Sequence, residues 1–234
     1  MALARRAPPG LDWRLRDLPL AILLGFVLLV PLTYAALPLL LASRWHQVTL
    51  GVVLEALAIV PAVALVARWR GARHLRELGL GRYPLWRCLG IGVACGLGIF
   101  IVVQGCGVLM ERLGSRPPAA RLLTEALISP RSPGRLLVFL AVAVLVAPFW
   151  EELFFRGFAY PVLRRRLGAV PGVILSALFF ALLHAEPFLL RLPIFILGIL
   201  LALIYERTGS LYAPMAAHAV ANTLSTLLFY AGFR

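Results

Sequence analysis

The sequence contains no lysine, few charges and few cysteines. Charged residues fill 14% of the 234 positions, where soluble globular domains carry about 25%. Asp and Glu together number 10. Such scarcity excludes a disordered chain, a coiled coil and an ordinary cytosolic enzyme. The three cysteines, Cys88, Cys95 and Cys106, cluster in one apolar segment and form no CxxC. They provide no disulfide framework and read as small packing residues. There is no HExxH, no internal repeat and no low-complexity tract.

What fills the chain instead is apolar. Hydrophobic residues make up 62% of it, and the mean hydropathy is +0.92. The fold class expected is all-α, a polytopic transmembrane helix bundle. A spanning helix takes about 20 mostly apolar residues. Segments near 19–42, 47–67, 88–110, 135–158, 169–185, 187–205 and 210–232 approach that length, which predicts about seven spans within a range of six to eight. Pro31, Pro38, Pro61, Pro148 and Pro193 fall inside them. Membrane helices tolerate proline where neighbouring helices satisfy the freed carbonyls. The first apolar run is longer than a signal-peptide core and lacks a small-residue cleavage site, so it reads as a retained helix. Gly92 and Gly96 form a GxxxG in the third span, a signature of close helix packing.

The basic residues are all arginine, and the net charge is +13. Arginines cluster at residues 5–16, 68–87 and 164–166. Cytoplasmic loops of membrane proteins carry such surpluses, so the N-terminus is expected in the cytoplasm. The expected location is a bacterial cytoplasmic (inner) membrane. Nucleic acid is not an expected partner, because no soluble basic face with stacking aromatics can be built from these segments. The division expected is an N-terminal interfacial segment at 1–18, helices and an interfacial loop at 19–134, and a catalytic helical core at 135–232.

Ionisable groups inside spans are expensive and therefore mark function. Here they are Glu55, Glu151, Glu152, Arg156, His184, Glu186 and His218, with Arg191 and Glu206 near helix ends. The densest set is Glu151-Glu152-xxx-Arg156. Glu152 and Arg156 are four apart, so they share a helix face and can pair. Glu151 points about 100° away around the helix and must find partners on other helices or raise its pKa. One paired carboxylate beside one poised carboxylate suits general-base chemistry; the competing interpretation is a purely structural ion network. Phe180 and His184 share a second face, and His218 and Asn222 a third. Either pair could instead serve as packing or polar helix glue. Together the three elements hold a base, two imidazoles, an amide and an orienting ion pair. Hydrolysis of a peptide bond needs an activated water and a stabilised oxyanion, and these residue types supply both.

The ordered trio EExxxR, FxxxH and HxxxN on successive membrane helices resembles the CPBP family, the CAAX-processing and bacteriocin-processing intramembrane proteases also called Abi. The likeness covers about residues 135–230. It implies an intramembrane endopeptidase acting on membrane-associated proteins or peptides within the lipid bilayer. Carried over by position, it implies that Glu151 and His184 activate the attacking water. His218 and Asn222 then hold the oxyanion or support a metal, while Glu152, Arg156 and Phe180 support the site. Family members are commonly described as metalloproteases, and a divalent ion such as zinc would take Glu151, His184 and His218. Asparagine is not a usual zinc ligand, and a glutamate alone can activate water, so a metal-free mechanism is slightly favoured. The alternatives from other classes are a non-catalytic membrane scaffold or regulator and a small proton-coupled transporter. Corresponding broken helices in two repeated halves would favour the transporter, and none are apparent.

Overall fold

The structure is a computed structural model and describes residues 11–80, 84–113, 132–184 and 191–232. Residues 1–10 of the expected N-terminal interfacial segment, residues 114–131 within the stretch expected to hold the interfacial loop, and Glu186 lie outside the described residues. Among the described residues all regular structure is helical. Helix α1 spans Asp17–Ala42, α2 spans Arg44–Trp69 and α3 spans Leu85–Arg112. Helix α4 runs through Pro133–Leu167. Helix α5 is Ala169–Leu183, α6 is Arg191–Thr208 and α7 is Tyr212–Gly232. The all-α polytopic bundle is the architecture observed. Among the described residues four stretches are long and apolar enough to cross a membrane, namely Asp17–Ala42, Trp45–Trp69, Leu85–Met110 and Pro133–Leu167. The chain is an integral membrane protein, and its surface agrees: Leu23, Phe26, Val30, Ile101 and Leu145 are each more than half exposed while charges are buried, the inverse of a water-soluble core.

Helix ends follow local chemistry. Ser43 caps α2 by accepting the His46 amide at 3.3 Å, replacing a bond that no helical carbonyl can supply there. Gly168 separates α4 from α5 at φ +89, a left-handed conformation that a side chain would resist. Pro193 is the third described residue of α6 and is buried.

Helix α4 departs most from the sequence expectation. It extends beyond residue 158 to Leu167 and carries two π turns, Val142–Val146 and Phe155–Ala159. Each π turn ends two residues before a proline, Pro148 and Pro161. A proline nitrogen has no hydrogen to return to the preceding turn. The wide turn shifts bonding to i−5, with Ala147 N–H on Val142 O and Tyr160 N–H on Phe155 O. Single π turns inside α-helices gather at functional sites, and these two bracket Glu151 and Glu152.

Helix α4 packs against α2 and α7. Leu153, Phe154, Phe155, Phe158 and Tyr160 supply the densest core, together with Phe180 and Tyr205. Helix α3 lies on α7 through Gly92 and Gly96. A Cβ at Gly92 would stand 2.7 Å from Ala213 O, and one at Gly96 would stand 2.8 Å from Ala217 O. The GxxxG is therefore a close-packing device, and the helix it admits carries His218. Helix α5 lies on α6, where Gly198 meets Ala177.

Candidate active site

The center of the bundle holds a buried charge cluster. Glu152 and Arg156 are fully buried, His218 is 3% exposed and Glu151 8%. Arg156 Nη1 donates to Glu152 Oε1 at 2.8 Å, so the pairing expected from the i,i+4 spacing is present. Its other terminal nitrogen donates to Gly198 O at 3.0 Å. The guanidinium also lies 4.7 Å over the Phe180 ring. Arg156 is thus fixed by three helices. Losing one partner of such a pair leaves an uncompensated buried charge.

His218 joins the two glutamates. Its Nδ1 stands 2.9 Å from Glu152 Oε1. A carboxylate engaged by arginine can only accept, so Nδ1 carries the hydrogen. The ring therefore turns Nε2 toward Glu151, whose Oε2 is 3.9 Å away. That separation is too long for a direct hydrogen bond and suits a contact through one water. Glu151 Oε2 is buried without a hydrogen-bond partner, as are Glu152 Oε2 and Arg156 Nε. The group that faces Glu151 from another helix is His218, which stands beyond hydrogen-bond distance.

His184 closes the end of α5. Its Nδ1 lies 2.8 Å from Phe180 O, and a carbonyl only accepts, so Nδ1 again holds the hydrogen and Nε2 is left with its lone pair. The Phe180 ring stands between the imidazoles, 4.5 Å from His184 and 6.1 Å from His218. Among the described residues no ion pair joins His184 to either glutamate. Asn222 donates from Nδ2 to Ala143 O at 2.9 Å. This carbonyl is the one that Pro148 would reach five residues back, had it a hydrogen. Asn222 replaces the missing donor and keeps a second N–H. The structure thus brings Glu151, Glu152, Arg156 and His218 into one contact network. It sets Phe180 and His184 beside that network and ties Asn222 to the π turn.

A metal needs a convergent donor set. Among the described residues no three His, Cys, Asp or Glu side chains are placed to hold an ion. Glu151, His184 and His218 as positioned do not make a three-ligand site, and no step below passes through a metal.

Sequence reasoning missed two supports. Gly198 O as an acceptor for Arg156 has no sequence signal, because every residue has a carbonyl. The π turn behind Asn222 had one, in a proline three residues before Glu151.

Residues 133–224 match the family model for Rce1-like proteins, described as type II CAAX prenyl endopeptidase Rce1-like. The matched stretch contains EExxxR, FxxxH and HxxxN, so over these residues the chain is similar to the same family that those motifs resemble. An uncharacterized 24.3 kDa protein of Escherichia coli is 28% identical over 141 residues, which cover 58% of this chain and 64% of that protein. The match thus spans a little under two thirds of the relative. No solved structure matches the chain significantly.

Proposed function

We propose that the protein is an intramembrane endopeptidase that hydrolyses peptide bonds of membrane-associated proteins or peptides, with its N-terminus in the cytoplasm. The observation that carries this is Glu151 Oε2, buried without a hydrogen-bond partner and 3.9 Å from the free edge of His218. A water held there gives its proton to Glu151 as the oxygen attacks the scissile carbonyl. His184 Nε2 offers a second acceptor to the same water. His218, its ring held by Glu152 through Nδ1–H, lines the oxyanion side of the site. Asn222 adds its remaining N–H. Glu151 then returns the proton to the leaving nitrogen. Glu152 and Arg156 touch no reacting atom and hold His218 in one tautomer.

The test uses purified full-length protein in lipid and peptide substrates that partition into the membrane. Glu151→Gln keeps the shape and removes the base, and cleavage should fall by about 10²–10⁴-fold or more. Undiminished cleavage removes Glu151 from the mechanism. Chelator treatment followed by readdition of zinc is run beside it. Loss of activity on chelation with recovery on metal overturns the metal-free route.

A further inference from the structure

Outside the site, the most distinctive feature is a cavity of about 460 Å³ between the segment preceding α1 and the end of α4. Four arginines line it, Arg14, Arg16, Arg165 and Arg166, against a single carboxylate, Asp12. The carboxylate is already engaged. Arg165 Nη2 meets Asp12 Oδ1 at 2.5 Å, and Arg14 stands 4.0 Å from its other oxygen. Arg165 also donates to Leu11 O at 3.4 Å. Among the described residues Arg16 and Arg166 make no salt bridge, although Arg16 lies within electrostatic range of Asp17, whose carboxylate is engaged by Arg70. The cavity therefore carries an excess of positive charge, four arginines against one lining carboxylate, and two of those arginines are outside any salt bridge.

Its floor is packed, while its arginines are exposed at the rim. Trp13 lines it and is 5% exposed, with its indole edge-on to Phe158 of α4 at 4.9 Å. Its position is that of a membrane surface. The apolar body of α1 begins at Asp17, directly after the segment that carries Arg14 and Arg16, and α4 ends at Leu167, directly after Arg166. Leu15, also in the lining, is 53% exposed, and Val170 just past α4 is 70% exposed. Charge thus meets lipid-facing apolar surface at one spot.

We propose that this cavity binds the phosphate headgroup of an anionic phospholipid, with Arg16 and Arg166 on the phosphate oxygens and the acyl chains against Leu15 and the outer face of α1. Arginine forks match phosphate oxygens in pairs. The volume is that of small-ligand sites, about 300–1,000 Å³. Basic pockets beside membrane helices at the cytoplasmic surface attract such headgroups. The proposal does not depend on the chemistry at Glu151.

The experiment measures lipid retained by full-length protein on transfer from nanodiscs of phosphatidylcholine with phosphatidylglycerol into detergent, by native mass spectrometry, and the affinity for phosphatidylglycerol added back. The Arg16→Gln/Arg166→Gln double variant should bind phosphatidylglycerol about ten- to thirty-fold more weakly, with its melting temperature in pure phosphatidylcholine unchanged. Arg73→Gln/Arg76→Gln removes two exposed arginines outside the cavity and should change the affinity less than about three-fold. Equal losses in the two double variants would mean diffuse surface charge and overturn the site. Full displacement of the lipid by millimolar inorganic phosphate would make it a site for free phosphate and overturn the lipid assignment. Equal retention of phosphatidylcholine would do the same.

Discussion

The molecule keeps two ion networks inside or between its helices, and they are built to different rules. At one end of the bundle, Glu206 accepts from Arg164 Nε and Nη2, both at 2.8 Å, and from Tyr160 Oη at 2.6 Å. Nearby, the Arg70 guanidinium engages both oxygens of Asp17. Each carboxylate there meets a bidentate arginine. In the middle of the bundle, two carboxylates face one arginine and one imidazole, and each glutamate keeps an oxygen without a hydrogen-bond partner. A bundle that needed only helix glue would be built like the first network. The second leaves acceptors open at the depth where an open acceptor is costliest. The contrast teaches that open acceptors, more than buried charge as such, distinguish a working site from a brace.

The sharpest way to break that comparison is to neutralise one glutamate in each network. Glu151→Gln should lower cleavage by about 10²–10⁴-fold and leave thermal stability within about 1 kcal/mol, since no hydrogen bond to Oε2 is lost. Glu206→Gln should do the reverse, weakening the fold slightly while cleavage persists. Equal effects of the two on activity would erase the distinction.

Next in size is Glu152→Ala. It strands Arg156 without its buried counter-charge and releases His218 Nδ1. A loss of about 3–5 kcal/mol follows from an uncompensated buried charge, read as melting in detergent or lipid. Arg156→Met removes the other partner and should recover part of that stability in the double variant with Glu152→Met, because an apolar pair has no charge to desolvate. Activity should not return with it, because His218 would have lost its orienting acceptor. A double variant with full activity would reduce Glu152 and Arg156 to filler.

Helix spacing comes third. Gly92→Leu places a side chain where even a Cβ meets Ala213 O at 2.7 Å, so α7 must move away from α3. Overpacking of this kind costs about 1–3 kcal/mol. Because α7 carries His218 and Asn222, cleavage should fall further than stability alone explains. Gly98→Leu on the same helix meets open space and serves as control.

Much of this was legible beforehand. Glu152 with Arg156, and Gly92 with Gly96, are read from spacing because helix geometry alone fixes which neighbours meet. Seven helical stretches follow from apolar length. The role of the arginine-rich connection was not legible. Leu78 inside it is buried, and Tyr205 Oη donates to Leu78 O at 3.3 Å. Counting charges labels that segment polar, whereas one buried leucine, Leu78, packs it against α6. The π turns were hidden for a related reason: proline announces a missing bond but not which helix repairs it. The partner of Asn222 could be found only once α7 was set against α4.

The smallest expected effect tests the saturated network from within. Tyr160→Phe keeps the ring, which is fully buried and packs edge-on to Tyr205 at 6.1 Å. It deletes only the 2.6 Å hydroxyl bond to Glu206. Arg164 still holds both oxygens of that carboxylate, so no buried acceptor is orphaned. A hydrogen bond lost without an orphan costs about 0.5–1.5 kcal/mol. Glu206 and Arg164 are partly exposed, at 23% and 30%, so water supplies a substitute and the lower half of that range is expected. Melting temperature and cleavage rate are measured together. A shift of a few degrees with unchanged cleavage keeps this network a brace. Cleavage falling as far as it does in Glu151→Gln would join the two networks into one functional unit and end the comparison.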